Sequence, residues 1–388
     1  MSAAPHADSS LQRRLYTDAS ILRALVNLCE YAETLDRQAA RSAIASLDKA
    51  IIIAGAPGER RLQIIYDIIE QIQSHCLGVE DIAFVANAVS PNSRDVSVSP
   101  LMTLESALSS VPRLDSPPSL AAFVKQYSQS PFVLPGYIRD WPALHEHPWK
   151  FVEYLRYVAG PGRLVPVEIG NDYRQDDWTQ ALMPWDTFLD ALDQKTPDDG
   201  QTRQQPLYLA QHNLLKQFPK LRNDILIPDY AYASLPPPAG FPGYVAPAND
   251  DQLVLNAWLG PSGAVSPAHT DPYYNFYAQV VGRKTVWLSP PDVTPSMYPY
   301  PPPSESTSDQ PHNPAANNAS PSMSNTSRVD VFQRRDDAGG GALPLFWKDV
   351  VPRAMSVTLE PGDLLFFPPG WWHAMRGEET SFSVSMWF

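Results

Sequence analysis

The segment Glu360-Pro-Gly-Asp-Leu-Leu-Phe-Phe-Pro-Pro-Gly-Trp-Trp-His373 decides the fold class of this chain. Its apolar run, Leu364 to Phe367, has the length of a short strand, and Pro/Gly turn sequences bound it on both sides. Five more short runs in the last third of the chain are predicted to be strands for the same reason. They are Leu253 to Leu259, Asn275 to Val281, Lys284 to Leu288, Ala354 to Leu359 and Ser381 to Phe388. Many short strands separated by Gly/Pro turns predict an antiparallel barrel or sandwich.

Upstream of these strands the chain alternates short apolar runs with helical patterns. Two segments are predicted to be helices, Trp185 to Leu192 and His212 to Phe218. The dipeptide Gly282-Arg283 predicts a tight hairpin between two strands. A segment rich in Pro, Ser, Asn and Gly, at about residues 299–342, predicts a long low-complexity insertion. The upstream strand candidates are Phe132 to Ile138, Leu164 to Ile169 and Leu207 to Ala210.

The N-terminal part of the chain has a helical rather than a strand-like pattern of apolar residues. Its apolar residues recur at steps of three and four, as from Ile64 to Ile72, which predicts amphipathic helices. The sequence Ala54-Gly-Ala-Pro-Gly58 separates two of these helices. A Ser/Pro/Val-rich stretch predicts a linker. We therefore predict a helical region at residues 1–95, a linker at 96–118, and a mainly β domain with flanking helices (α+β) at 119–388.

Composition narrows the possible partners and the compartment. The 388 residues carry a formal net charge of −13. An acidic surface is unsuited to neutralising phosphates, so we expect no direct nucleic-acid binding, whereas basic peptides are suitable partners. Cys29 and Cys76 are too few for a disulfide framework or a thiolate zinc finger. Without a signal sequence or a long apolar run, we expect an intracellular protein of nucleus or cytoplasm, with no membrane association and no secretion.

Three side chains form a candidate metal site. His269 and Asp271 stand two positions apart in a strand-like stretch, so their side chains point to one face. His373 follows a Pro-Pro-Gly-Trp-Trp turn sequence and is the candidate third ligand. Two imidazoles and one carboxylate on one face of an octahedron leave three positions open, which is the arrangement of non-haem Fe(II) oxygenases. Zinc prefers a closed tetrahedral site or a single open position.

Lys284 is a candidate anion-binding residue. It shares a strand face with Val286 and Leu288, and an ammonium group on an apolar face requires an anionic partner. The distal carboxylate of 2-oxoglutarate would satisfy it. The opposite orientation stays open at this point, because Trp287, on the other face of the same strand, is equally large.

Several motifs, in order and at sensible spacings, resemble the JmjC oxygenases, in particular the branch of lysine demethylases and arginyl hydroxylases. The resemblance covers about residues 111–388 apart from the insertion. Its motifs are Val265-Ser-Pro-Ala-His-Thr-Asp-Pro272, Asn275-Phe-Tyr-Ala-Gln-Val-Val-Gly-Arg-Lys284, the segment from Glu360 to His373, Ser381-Phe-Ser-Val-Ser-Met-Trp387, Val165-Pro-Val-Glu-Ile-Gly170, Asp177-Trp-Thr-Gln180, Tyr208-Leu-Ala-Gln-His212 and Asn256-Ala-Trp-Leu-Gly260.

The resemblance implies a double-stranded β-helix, a cupin-like barrel, with Fe(II), 2-oxoglutarate and O₂ as its reactants. It further implies a role for nine residues. The metal ligands would be His269, Asp271 and His373, the 2-oxoglutarate-binding residues Lys284, Asn275, Tyr208 and Ser266, and the substrate-binding residues Glu168 and Trp258.

Three functions remain open from the sequence. The first is a dioxygenase that hydroxylates a protein side chain, with arginine as the leading candidate, since Glu168 could pair with a guanidinium and Trp258 could stack on it. The second is a histone N-methyl-lysine demethylase that uses the same iron chemistry. The third is a cupin-like binding or scaffold protein without turnover, against which the complete set of ligands argues.

Overall fold

The computed structural model describes residues 5–78, 104–170, 172–175, 177–193, 205–301, 323–335 and 343–388. The first part of the predicted linker, residues 96–103, and two parts of the predicted insertion, residues 302–322 and 336–342, lie outside these ranges. The chain divides into two compact units. The first unit comprises Met1–Ser93, Asp140–Leu226 and Asn256–Pro261, and the second comprises Arg94–Arg139, Ile227–Leu255 and Ser262–Phe388. The predicted domain boundaries at residues 95 and 119 stay a prediction.

The α-helices of the described residues are concentrated in the first unit, where the longest of them begins near the N-terminus. None of these helices combines the length and the apolar character that crossing a membrane requires. They are α1 (Pro5–Thr34), α2 (Arg37–Lys49), α3 (Arg61–Gln71), α4 (Leu120–Ala122), α5 (Val152–Ala159), α6 (Trp185–Asp193), α7 (Leu214–Gln217) and α8 (Pro219–Arg222).

The strands are short, as the turn-rich sequence predicts. All six strands predicted in the last third are present within one or two residues of their predicted ends. The strands are β1 (Ser109–Ser110), β2 (Phe132–Leu134), β3 (Leu164–Ile169), β4 (Thr179–Pro184), β5 (Leu207–His212), β6 (Val254–Gly260), β7 (Val265–Thr270), β8 (Asn275–Val281), β9 (Lys284–Ser289), β10 (Met355–Leu359), β11 (Leu364–Phe367), β12 (Trp372–Gly377) and β13 (Ser381–Trp387).

In the first unit, the N-terminal helices pack around small apolar side chains of α2, such as Ala40 and Ala43, which are fully buried. Alanine at these positions lets α1 approach α2 closely. A π-helical turn, Ala50–Ala54, extends α2 and ends at Gly55, whose left-handed backbone (φ +77°) closes the helix. The predicted break at this Gly-containing sequence is confirmed. Strands β4, β3, β5 and β6 pair in that order, each antiparallel to the next.

The second unit holds two groups of strands. One is a five-stranded sheet in the order β1-β10-β9-β12-β7. In the other group β2, β11, β8 and β13 pair in that order. Trp287 and Trp372 on the outer face of the five-stranded sheet pack against Phe346 and Val350, which follow the insertion. The opposite face of the same sheet is therefore the one that carries the candidate site.

The predicted hairpin at Gly282-Arg283 is wrong. Strand β8 pairs with β11 and β13, whereas β9 pairs with β10 and β12 in the other sheet. The dipeptide is instead a tight corner between sheets. Gly282 has φ +65°, and a Cβ atom there would lie 2.2 Å from the Thr380 carbonyl oxygen, so the corner requires glycine. A two-residue connection predicts a turn but does not fix which strands pair.

Candidate metal and ligand site

The three predicted metal ligands meet in the second unit. His269 on β7 and His373 on β12 are register partners in the antiparallel ladder, and their ring centroids lie 4.2 Å apart. Asp271 follows β7, with its carboxylate oxygens 3.9 Å from His269 Nε2 and 3.4 Å from His373 Nε2. One possible ligand atom from each of the three residues lies within 4.8 Å of the other two. This spacing suits three donors around one ion.

Both imidazole rings are oriented by main-chain carbonyl groups. His269 Nδ1 donates to Pro267 O at 2.7 Å, and His373 Nδ1 donates to Trp371 O at 3.0 Å. A carbonyl oxygen can only accept, so in the neutral form of each ring Nδ1 carries the proton and Nε2 presents a lone pair. Such a partner at the second ring nitrogen is the usual support of a metal-binding histidine.

The electrostatics of the cluster favour the metal-binding protonation states. Burial, with the neighbouring His373, lowers the pKa of His269 to about 4, so this ring is neutral at physiological pH. Burial alone would raise the pKa of Asp271, but the contacts with the His373 and His269 side chains outweigh this effect and bring the pKa below its usual value. The neutral His269 ring, the His373 ring with its Nδ1 on a carbonyl, and the Asp271 carboxylate therefore fit a divalent cation that accepts N and O donors and keeps open positions.

Lys284 lies buried on the face that carries the histidines. Its Nζ donates to the Tyr277 hydroxyl at 2.9 Å, and its side chain shares the face of Val286 and Leu288. Only 2% of Lys284 is exposed, and burial lowers its pKa to about 7. The orientation that the sequence left open is thus the inward one. A buried ammonium group with a hydroxyl neighbour is suited to receiving a carboxylate.

Ser266 reaches the same face because β7 contains a bulge. At three residues before His269, a regular strand would turn Ser266 to the opposite side. The ladder between β7 and β12 shifts between the pairs His373 with His269 and Met375 with Ser266. Since β12 stays in regular register with β9, the extra residue belongs to β7. Ser266 therefore points to the side of Met375 and His373.

Two buried polar atoms on the facing strands lack partners within the described residues. They are Asn275 Oδ1 on β8 and Trp387 Nε1 on β13, which are register partners. Asn275 also pairs in register with Phe367, whose ring lies 4.7 Å from the His373 ring. Buried polar groups are almost always hydrogen-bonded. A buried acceptor near His373 and a buried donor on the neighbouring strand, both without partners in the described residues, fit a site that is completed by a polar ligand.

Comparison with known proteins agrees with this architecture. Residues 121–388 match the family model described as a cupin-like domain. The chain belongs to the cupin-like domain family. The predicted fold class, mainly β with flanking helices and a cupin-like barrel, is confirmed by this match.

The cupin-like chain also resembles JmjC proteins, as the motifs predicted. It is 36% identical to "Lysine-specific demethylase 8" of Danio rerio over 72% of this chain and 58% of that protein. It is 36% identical to "Jumonji C domain-containing protein 5" of Drosophila melanogaster over 78% of this chain and 65% of that protein. It is 34% identical to "Lysine-specific demethylase JMJ30" of Arabidopsis thaliana over 70% of this chain and 53% of that protein. The chain thus spans between about half and two thirds of these relatives.

The remaining predicted residues of this cupin-like protein lie together in the first unit. Glu168 on β3 and Tyr208 on β5 are register partners, and the Tyr208 and Trp258 rings lie 6.3 Å apart. Trp178 Nε1 donates to Glu168 Oε2 at 3.4 Å. Burial raises the pKa of Glu168, while hydrogen bonds from Trp178 and Gln180 counteract part of this rise. A carboxylate bordered by aromatic rings is suited to a planar cation.

Sequence reasoning missed three residues that the fold of this cupin-like protein adds to the site in the second unit. Tyr277 contacts Lys284, Phe367 contacts His373, and Trp387 presents an indole N–H without a partner in the described residues. Period-2 alternation from Asn275 places Tyr277 on the same strand face, so that residue could have been found. Phe367 and Trp387 could not, because their neighbours are known only once β8, β11 and β13 are paired.

Proposed function

We propose that this protein is an Fe(II)- and 2-oxoglutarate-dependent dioxygenase that hydroxylates a protein side chain, with arginine as the leading substrate. The single observation that carries the proposal is the cluster of His269, Asp271 and His373, in which the Nδ1 atom of each histidine is hydrogen-bonded to a main-chain carbonyl. This donor set, with open positions, suits ferrous iron better than zinc. When bound, the iron supplies activation of dioxygen, coupled to oxidation of 2-oxoglutarate to succinate and carbon dioxide.

The protein groups proposed to hold 2-oxoglutarate are polar side chains, most of them buried. Lys284 would pair with the distal carboxylate, and Tyr277 would keep the ammonium group oriented towards it. Asn275 and Ser266, both buried, would supply hydrogen bonds to the rest of the molecule. Tyr208 joins this set by its match to the family motif. Apolar neighbours such as Val286 and Leu288 exclude water, which strengthens each of these polar contacts.

The proposed arginine selectivity rests on the cluster in the first unit. Glu168 would form charge-assisted hydrogen bonds with a guanidinium, while Trp258 would stack on its plane. Arg keeps its charge at every relevant pH, so a half-buried carboxylate gains most from such a partner. The formal net charge of −13 also favours a basic protein or peptide as partner. We propose an intracellular protein, of nucleus or cytoplasm, on the strength of the named relatives.

Demethylation of N-methyl-lysine is the second candidate function. It is favoured by the names of two of the relatives, "Lysine-specific demethylase 8" and "Lysine-specific demethylase JMJ30". The same metal site would serve both reactions, because hydroxylation of an N-methyl group gives a product that breaks down to formaldehyde and the free amine. A cupin-like binding protein without turnover is the third candidate, and the complete set of three ligands argues against it.

Product analysis separates these candidates. The iron-loaded full chain is incubated with 2-oxoglutarate and two peptide sets, one with arginine and one with N-methyl-lysine, and peptide masses and succinate are followed. A gain of one oxygen atom on arginine supports the hydroxylase. Loss of a methyl group with formaldehyde supports the demethylase. Unchanged peptides without succinate would contradict both and leave the binding protein.

Two histidine variants test the ligand assignment. His269→Ala should abolish turnover and Fe(II) binding together, because two remaining donors hold the ion poorly. His145→Ala is the matched control, since His145 is exposed in the first unit and belongs to no metal cluster of the described residues. Turnover that persists in His269→Ala would refute the proposed metal site.

A further inference from the structure

Strand β7, which carries His269, has a second neighbour besides β12. Part of the predicted insertion, residues 323–329, runs along the free edge of β7, and we call it the return arm. Thr326 forms an antiparallel bridge with His269. Ser327 N donates to Ala268 O at 2.8 Å on the same edge. The return arm thus acts as an added edge strand beside a candidate metal ligand.

The return arm is itself held by residues 297–300, which lie around the start of the predicted insertion. Tyr300 N donates to Thr326 O at 3.0 Å, and Arg328 N donates to Tyr298 O at 3.1 Å. Ser327 is fully buried, and its hydroxyl donates to Met297 O. Residues 297–300 and the return arm are therefore hydrogen-bonded to each other beside β7, so the arm is an ordered part of the sheet.

Asn325 makes a two-point contact with one residue of β7. Thr270 N donates to Asn325 O at 3.0 Å, and Asn325 Nδ2 donates to Thr270 O at 2.9 Å. Both main-chain polar groups of Thr270 are thus bound by a single residue. Thr270 stands between His269 and Asp271, so this contact fixes the peptide that joins two of the three candidate ligands.

The contact between Asn325 and Thr270 lies at the end of β7, where it can affect the positions of the candidate metal ligands. β7 ends at Thr270, and Asp271 lies beyond the paired residues, where strands fray most readily. On the other side Gly370 N donates to Asp271 O at 2.8 Å. Fixing Thr270 limits the angles through which the imidazole and the carboxylate can separate. A site whose ligands are preorganised loses less conformational entropy when the cation binds.

We propose that Asn325 is a positioning residue for the metal site, acting through Thr270 on His269 and Asp271. The inference rests on the proposed function, because it assumes that these ligands hold a divalent cation. Outer groups that orient metal ligands commonly change metal affinity by about 10- to 100-fold. Asn325 is exposed, so water replaces part of its hydrogen bond, and we expect a smaller effect of roughly 3- to 10-fold for Asn325→Ala.

The test measures metal binding rather than turnover. Mn(II) and Co(II) affinities of the full chain are determined by calorimetry, together with the visible absorption of the Co(II) form, at a temperature well below unfolding. In Asn325→Ala we expect weaker binding of both ions and an altered Co(II) spectrum. An altered spectrum at saturating metal reports changed ligand geometry, which a loss of fold stability alone does not produce.

Asn249→Ala is a closely matched control. Asn249 is also exposed, also belongs to the second unit, and its Nδ2 donates to a main-chain carbonyl, Leu253 O, at 2.7 Å. Wild-type affinity and spectrum in Asn249→Ala, with both altered in Asn325→Ala, support the inference. Wild-type values in Asn325→Ala, or equal losses in the two variants, overturn it. Failure of the wild-type chain to bind either ion refutes the proposed function instead.

Discussion

Asp48 and Arg163 form a buried ion pair although 115 positions separate them in the chain. Asp48 on α2 is fully buried and accepts from Arg163 Nη2 at 2.7 Å, while Arg163 Nε contacts both carboxylate oxygens. The same carboxylate accepts from Gln217 Nε2 and from the main-chain N–H of Leu164, each at 2.8 Å. Asp48 therefore anchors the N-terminal helices to the start of β3, the strand that carries Glu168.

Replacing Asp48 should destabilise the first unit. Asp48→Ala leaves the Arg163 guanidinium buried without its counter-charge, and breaking a buried pair in this way costs about 3–5 kcal/mol. The free energy of unfolding from urea titration checks this. Asp18→Ala, which removes a pair with Arg61 at the surface, is the control and should change stability little. Equal losses in the two variants would show that burial of the pair is not the cause.

The affinity for 2-oxoglutarate should fall as the pH rises above about 7. Burial lowers the pKa of Lys284 to about 7, and only its ammonium form attracts a carboxylate. We expect the Kd, measured calorimetrically with Mn(II) to prevent turnover, to rise roughly tenfold per pH unit above that value. The lowered pKa of Lys284 also affects the stability of the ligand-free protein, but in the opposite direction. The free energy of unfolding should increase from about pH 7 to about pH 10.4, because in this range Lys284 is neutral in the folded state and still protonated in the unfolded state.

Two lysine variants test whether Lys284 is the group that causes this pH dependence. Lys284→Met should weaken 2-oxoglutarate binding strongly and remove the dependence above pH 7. Lys216→Met is the control, because Lys216 is partly buried in the first unit, where its Nζ donates to Gly55 O at 2.8 Å. A pH dependence that survives in Lys284→Met would mean that another group titrates.

Asn275→Leu should weaken the binding of 2-oxoglutarate while it makes the ligand-free protein more stable. The variant removes a buried carbonyl oxygen that has no partner in the described residues and keeps a similar side-chain volume. We expect the ligand-free protein to become more stable, by about 1 kcal/mol. The Kd of 2-oxoglutarate should rise about tenfold if Asn275 binds it. Thermal melting with and without the ligand measures both effects, and unchanged affinity would exclude Asn275 from the ligand site.

Glu168→Gln should impair turnover of arginine peptides selectively. The amide keeps the shape of the side chain but loses the charge that pairs with a guanidinium, so kcat/KM should fall at least tenfold. Succinate formation without peptide should continue. In the wild type, activity on arginine should decline as the pH falls through the raised pKa of Glu168. Glu153→Gln, an exposed change on α5, should leave both rates unaltered. Loss of peptide-independent succinate in Glu168→Gln would indicate a different role.

The strands and the shared direction of the His269 and Asp271 side chains could be predicted, because both depend on residues that are close in the sequence. Alternation and turn residues define strands such as β8 and β11, whose observed ends coincide with the predicted ones. The spacing of His269 and Asp271 likewise fixes a shared direction of their side chains. Lys284 could be placed on a face of β9, but the sequence did not say which face is covered.

Strand partners could not be predicted in the same way. The pattern before Gly282 is equally compatible with a hairpin and with a corner between sheets, since period-2 alternation gives the face and not the partner. The bulge that turns Ser266 inward adds one residue without a distinctive sequence. The pairing of Asp48 with Arg163 joins segments that are far apart in the chain, and neither residue has a local signal that identifies the other.

The return arm has a consequence for the behaviour of the protein in solution. Without it, the N–H of Thr270 and the carbonyl of Ala268 would stand unpaired at the border of the five-stranded sheet. An open border of this kind recruits strands from other molecules and leads to sheet-to-sheet aggregation. The return arm therefore also protects the edge of β7 from pairing with strands of neighbouring copies of the protein.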